Sequence, residues 1–244
     1  MTVRPVERLC YLLGLGLIAA GLAHAVVLVV TGGSWSGPVS LRKPATFGVS
    51  FGLTLITIAW VASFLPLGDR GRGWLLGLLA GASVVEVGLI SVQAWRGVPS
   101  HINFETATDS MIARVLAGGG FVLIAVIAAL TVVSLRPHPT VAPSMRLAVR
   151  AGLLILDVSL LTGAVMIFNG VRTVFGENQQ AAYAALGTLK PVHAVTMHAV
   201  LVLPLLAWLI RTRWTEPRRV QAVRAAIAAY AAVATAAAAT LLAL

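Results

Sequence analysis

The stretch LCYLLGLGLIAAGLAHAVVLVV, Leu9 to Val30, runs 22 residues without an Asp, Glu, Lys or Arg. About 20 consecutive apolar residues carry a helix across the hydrocarbon core of a bilayer. Lipid offers no partner for an unpaired backbone N–H or C=O, so such a stretch is a helix or belongs to a closed barrel. Six more predominantly apolar stretches of similar length follow, at about 45–65, 74–95, 112–135, 147–169, 192–210 and 220–244. Barrel strands alternate in short segments, and these long runs do not. The expected fold is therefore an all-α bundle of about seven transmembrane helices. Residues 1–244 form a single polytopic domain, because the loops are too short for a separate soluble one.

Composition agrees. Of 244 residues, 59% are apolar and 11% charged, and the mean hydropathy is +0.93. Soluble domains run about 45–50% apolar and about 25% charged, so a soluble fold is excluded. Disorder is excluded too, since it requires low hydrophobicity. The single cysteine, Cys10, rules out a disulfide framework and any CxxC motif. The first stretch also has features of a cleaved leader, with Arg4 and Arg8 ahead of it and Ala23-His24-Ala25 resembling a cleavage site. Its length, continuing through Val26–Val30, favours an uncleaved helix; six spans behind a leader is the alternative.

Basic residues outnumber acidic ones by 18 to 8, a formal net charge of +10. Loop positions explain them. With the N-terminus inside, twelve basic residues (Arg4, Arg8, Arg70, Arg72, Arg136, Arg146, Arg150, Arg211, Arg213, Arg218, Arg219, Arg224) fall on the cytoplasmic side. Six (Arg42, Lys43, Arg96, Arg114, Arg172, Lys190) fall on the other. The excess of inside charge predicts a cell-membrane protein with N-terminus in and C-terminus out. The positive charge meets anionic lipid, and no nucleic-acid partner is needed.

A weak internal repeat pairs Leu41-Arg42-Lys43-Pro44 with Thr188-Leu189-Lys190-Pro191. Trp60 likewise pairs with Trp208, and Asp69 and Arg72 with Glu216 and Arg219. This suggests a 3+1+3 parallel plan with the fourth span as connector; common membrane helix-start grammar explains the same matches.

Ionisable residues within spans are functional candidates by default. Four stand out: His24, Glu86, Asp157 and His198, which an outward-facing cavity between spans one, three, five and six would gather. Glu86 and Asp157 are proton-transfer candidates. The outer loops add Arg42, Lys43, Arg96, Asn103, Asn169, Arg172 and Lys190, which would draw a small anionic or lipid-like ligand toward helix N-termini. His24 with His198 suits bis-histidine haem; His101, His193 or His198 with Asp109 suits a divalent metal. Interhelical hydrogen bonding explains these histidines equally. Thr108-Asp109-Ser110 also reads as a helix cap. His193 and His198, five apart, lie about 140° from one another on a helix. His193 is expected to face the loops and His198 the interior, with Pro204 bending the span. Gly118-Gly119-Gly120 reads as a close helix-packing surface rather than a nucleotide loop.

Seven-span families with defined chemistry do not fit. A retinal protein needs a lysine in its last span, and membrane hydrolases with a final-span histidine pair use a spacing of three. The residues point to a membrane redox or enzyme-like protein binding a small anionic or redox-active ligand. Two alternatives remain: a proton-coupled transporter of a small anion, and a non-catalytic subunit that docks protein partners.

Overall fold

The computed structural model describes residues 3–242 apart from 186 and 188. The chain is 79% helix, with no strands among the described residues. The helices are α1 Pro5–Val30, α2 Arg42–Ala62, α3 Asp69–Trp95, α4 Ala107–Ser134, α5 Pro143–Gly176, α6 Gln179–Ala185, α7 Lys190–Met197, α8 Ala199–Leu209 and α9 Glu216–Leu242. Seven segments, α7 with α8 counting as one, are long and apolar enough to cross a membrane. Of the expected repeat, Thr188 lies outside the described residues, as do the last two residues of the seventh stretch.

Every one of these segments begins a few residues before its apolar run. Pro5 and Pro143 occupy first-turn positions, where a missing N–H costs nothing. Asp69, Asp109 and Glu216 lie in first turns, where the positive end of the helix dipole favours acid. Hydropathy marks the apolar core of a helix and misses these polar turns.

Two boundaries differ more. Helix α5 continues for 34 residues to Gly176, so Asn169 and Arg172 are helical rather than the start of a loop. The sixth span is interrupted at His198, whose N–H bonds to Thr196 O, while Pro204 sits within α8. The break thus lies upstream of the proline expected to cause a bend. The short α6 falls in a segment read as loop.

Two compact units divide the chain, one comprising residues up to Trp60 with Asp69–Leu123, the other Val61–Gly68 with Ile124 onward. In the first, α1 and α2 meet through glycine. A Cβ on Gly52 would lie 2.4 Å from Gly14 O, and one on Gly48 2.7 Å from Gly21 Cα. Small residues at this spacing let backbones touch, as in membrane helix pairs. At one end of α1, the Glu7 carboxylate meets Arg72 Nη1 of α3 at 3.1 Å, both side chains nearly fully buried. Arg4 spans the same end, its Nε 2.9 Å from Asp69 Oδ1. In the second unit, α5 is the central helix, packing against α7, α8 and α9. Gly152 admits the α8 backbone there, a Cβ being 2.9 Å from Val200 Cα.

Candidate functional site

Besides the ion pairs at the start of α3, the first unit gathers polar side chains where α3 ends. Helix α3 buries Leu79, Ser83, Glu86, Ile90 and Gln93, the three-and-four spacing of one helix face. That stripe therefore carries a carboxylate and an amide into the apolar packing. The helix stops in a Schellman turn: Gly97 has φ +69°, Gly97 N–H bonds to Ala94 O at 3.1 Å, and Val98 N–H to Gln93 O at 3.1 Å. A left-handed glycine at this position satisfies the last carbonyls and turns the chain back over the helix end.

The returning loop, Val98 to Thr106, makes a connected network. His101 Nε2 lies 3.3 Å from Glu86 Oε1, and Ser100 Oγ 2.9 Å from His101 Nδ1. Lys43 Nζ, in the first turn of α2, donates to Ser100 Oγ at 3.1 Å. Phe47, one turn along α2, sets its ring centroid 5.8 Å from the imidazole. The second carboxylate oxygen, Glu86 Oε2, is buried without a hydrogen-bond partner. Gly119 of α4 leaves it room, since a Cβ there would come within 3.0 Å. Ile102 follows His101 with φ +50° and is buried. A β-branched residue in the left-handed region is strained, by about 1–3 kcal/mol.

A second network braces the loop. Asp109 Oδ1 accepts from Gln93 Nε2 at 2.9 Å and from Arg96 Nη1 at 2.7 Å, and Arg96 Nη1 also donates to Gln93 Oε1. Thr106 caps α4: its Oγ1 accepts from Asp109 N–H at 3.1 Å and donates to Asp109 Oδ2 at 2.6 Å. The cap is thus Thr106, with Asp109 its third-position partner inside the helix rather than ahead of it. Asn103 is fully buried; its Nδ2 donates to Pro99 O at 3.3 Å and its Oδ1 accepts from Glu105 N–H at 3.1 Å.

The other candidates lie elsewhere. His24 Nδ1 bonds to Ala20 O at 2.8 Å, and its Nε2 accepts the Trp95 indole N–H at 3.0 Å. A carbonyl only accepts and an indole N–H only donates, so both ring nitrogens are engaged. Arg42 Nε donates to Trp35 O at 2.7 Å, fastening the first loop. In the second unit, Asp157 Oδ2 accepts from Thr131 Oγ1 at 2.7 Å. His193 packs on α5, with Nδ1 bonded to Ser159 O at 2.8 Å and Cε1 set against Gly163. His198 is exposed, its Nδ1 on Ala194 O at 2.9 Å. This reverses the expected facing of the pair: the small residues Ser159 and Gly163 make the niche, and it accommodates His193. Asn169, Arg172 and Lys190 are exposed, Arg172 with its guanidinium 5.9 Å above the Phe168 ring.

Among the described residues, no group of three or more His, Cys, Asp or Glu is placed to hold a metal ion. The expected donors separate instead. His101 joins Glu86, and Asp109 is taken up by Gln93, Arg96 and Thr106. The nitrogen His24 would offer to haem holds an indole proton, so these residues do not fit a haem or metal centre. Of the glycine triplet, Gly119 alone meets a neighbour, while Gly118 and Gly120 face open space.

No protein-family model matches the chain, and no curated protein and no solved structure is found to be similar to it.

Proposed function

We propose that the chain is a multi-pass protein of the cell membrane, N-terminus inside and C-terminus outside. At the outer end of α3, in this reading, Lys43, Glu86, Ser100 and His101 bind a small anionic ligand and exchange a proton with it. The apolar surface supports insertion: Leu12, Phe121 and Phe175 are 59%, 72% and 74% exposed, a state that lipid favours and water does not. The basic residues of the loops support the orientation.

The observation that carries the reading is the chain Lys43–Ser100–His101–Glu86, ending in a buried carboxylate oxygen with no donor. An unsatisfied buried polar atom costs about 1–3 kcal/mol, and a left-handed Ile102 adds to that cost beside it. Costs of this kind concentrate where a site is held ready for use. Lys43 supplies positive charge for an anion, and the His101 imidazole a ring whose nitrogens can donate and accept a hydrogen. Arg96 is neutralised by Asp109 and braces the site.

The test is histidine 15N NMR of the protein in lipid nanodiscs, titrated with acetate and with phosphate. The His101 ring signal should shift saturably with at least one anion, and Lys43→Gln should weaken that binding about tenfold or more. Glu86→Gln should move the His101 signal without any ligand. A His101 signal indifferent to both anions and to Glu86→Gln removes the reading.

A second reading, proton-coupled transport, is favoured by Asp157. Thr131 Oγ1 lies 3.0 Å from Ile127 O as well as 2.7 Å from Asp157 Oδ2. Its single proton serves one of these acceptors, and a proton carried by Asp157 completes both bonds. The division between units falls within α4, where a 3+1+3 plan puts its connector. Asp157→Asn should then abolish pH-dependent solute uptake in proteoliposomes; unaltered uptake excludes the role.

A further inference from the structure

The turn that joins α8 to α9 ends an apolar span in arginine and tryptophan, and we propose that it holds the headgroup of an anionic phospholipid whose acyl chain lies along α8. This rests on the membrane reading above and is independent of the polar network at the end of α3. The turn reads Arg211-Thr212-Arg213-Trp214-Thr215, and every residue of it is exposed. Arg211 is held in place: its Cζ lies 3.9 Å from the centroid of the Trp208 ring, and its Nη1 donates to Trp208 O at 2.8 Å. A guanidinium fixed by stacking loses little further freedom when its remaining N–H donors meet phosphate oxygens in pairs.

The protein does not use this charge itself. Other arginines of the expected inner side are taken up, Arg4 by Asp69, Arg72 by Glu7 and Arg150 by the carbonyls of Ser134, Leu135 and Arg136. Arg213 and Arg218 are exposed and meet no carboxylate among the described residues. The acid beside them, Glu216, is already engaged: it accepts from Ser144 N–H at 2.6 Å and pairs with Arg219 Nη2 at 2.5 Å. An excess of inner arginine orients a membrane protein wherever in the loops it falls. A stacked guanidinium with unpaired arginines around it marks one place.

The class of ligand follows from what surrounds the charge. On α8, Val202, Leu205 and Leu209 are 41%, 37% and 55% exposed, and their spacing of three and four puts them on one helix face. This apolar stripe leads to Trp208, three residues past Leu205. Trp208 and Trp214 are themselves 39% and 48% exposed, and neither indole N–H has a protein acceptor among the described residues. Tryptophan settles where hydrocarbon meets headgroup, with its ring in the apolar layer and its N–H toward polar oxygens. A free phosphate would use the arginines and leave the stripe and the indoles unmatched. A zwitterionic lipid brings a phosphate already balanced by its own cation. An anionic phospholipid matches the stripe, the indoles and the arginines together.

Native mass spectrometry of the intact protein tests the proposal, with phosphatidylglycerol or phosphatidylcholine of the same acyl chains titrated into the micelles. Phosphatidylglycerol is expected to bind at least tenfold more tightly. Arg211→Gln combined with Arg213→Gln and Arg218→Gln should weaken that binding at least tenfold. Arg8→Gln with Arg70→Gln, at exposed arginines of the first unit, should change it less than twofold. Trp208→Leu leaves every charge in place and should weaken it at least threefold, with each variant first shown to melt cooperatively. Equal binding of the two lipids, binding indifferent to the triple variant or to Trp208→Leu, or an equal loss in the Arg8 and Arg70 variant overturns the proposal. So does glycerol phosphate competing as well as the lipid, which would make the turn a site for a free anion. Alkaline carbonate washing of cell membranes separates this proposal from the reading beneath it. Protein that stays in the membrane yet shows no lipid preference removes the lipid site alone, and protein released by the wash removes both.

Discussion

At the scale of single residues, the chain places its ionisable groups in two settings that hydropathy does not separate. Glu7 and Arg72 are buried as an ion pair, although in sequence they lie in charged flanks that read as orientation signals. Nothing in a charge count marks a pair 65 positions apart; only the packing of α1 on α3 does. Taking away one member of a buried pair typically costs about 3–5 kcal/mol, whereas replacing both with apolar groups is often near neutral. Arg72→Met and Glu7→Leu are each expected to lower stability on that scale, and the double variant to lose far less than the sum. Unfolding of the purified protein in mixed micelles, run as a double-mutant cycle, measures this. Additive losses would show that the two charges do not act together.

At the scale of elements, seven apolar helices were legible because each carries a predominantly apolar run close to 20 residues long. The ends were less so: polar first turns at Asp69 and Glu216, and the extension of α5 to Gly176, lie outside any apolar window. The glycines show where sequence pattern stops informing. Gly118-Gly119-Gly120 is the conspicuous cluster, yet it is Gly14 with Gly52 and Gly21 with Gly48 that let two helix backbones meet. Composition shows small residues, and only the partner helix shows which face they occupy. Gly52→Ala forces a Cβ toward a backbone carbonyl and should destabilise by about 1–3 kcal/mol. Gly118→Ala meets nothing and should be neutral or stabilise by up to about 1 kcal/mol. Thermal unfolding of the two variants side by side decides it, and equal effects would refute this α1–α2 packing.

At the scale of the whole molecule, orientation is the property most open to a direct check. Cys10, the single cysteine, is buried, which gives a low background for labelling engineered thiols. Ser36→Cys and Thr140→Cys replace exposed loop residues that the proposed topology puts on opposite sides. A membrane-impermeant maleimide added to whole cells should label the first and reach the second only after permeabilisation; the opposite pattern inverts the topology. The candidate site was half legible. Glu86, Lys43, Arg96, Asn103, Asp109 and His101 were recognisable as polar residues expected on one side. That His101 would meet Glu86 was not, because a Schellman turn and a strained loop bring them together. Ser100 carried no signal beyond its neighbour, and an isolated serine in a loop is common. His24 and His198, the pair matched in depth for a haem, turn out to bond to backbone carbonyls four residues earlier, at Ala20 and Ala194.

The left-handed backbone at Ile102 bears on how the protein would respond to selection. Glycine or asparagine adopts that conformation at little cost, so Ile102→Gly relieves local strain while giving up a buried side chain. Where thermal endurance alone is rewarded, random mutagenesis should enrich replacements that relax this turn, and where ligand turnover is rewarded it should retain isoleucine, whose apolar anchor keeps His101 over Glu86. A divergence between two such selected populations at this one codon would be the signature of a stability–activity trade-off.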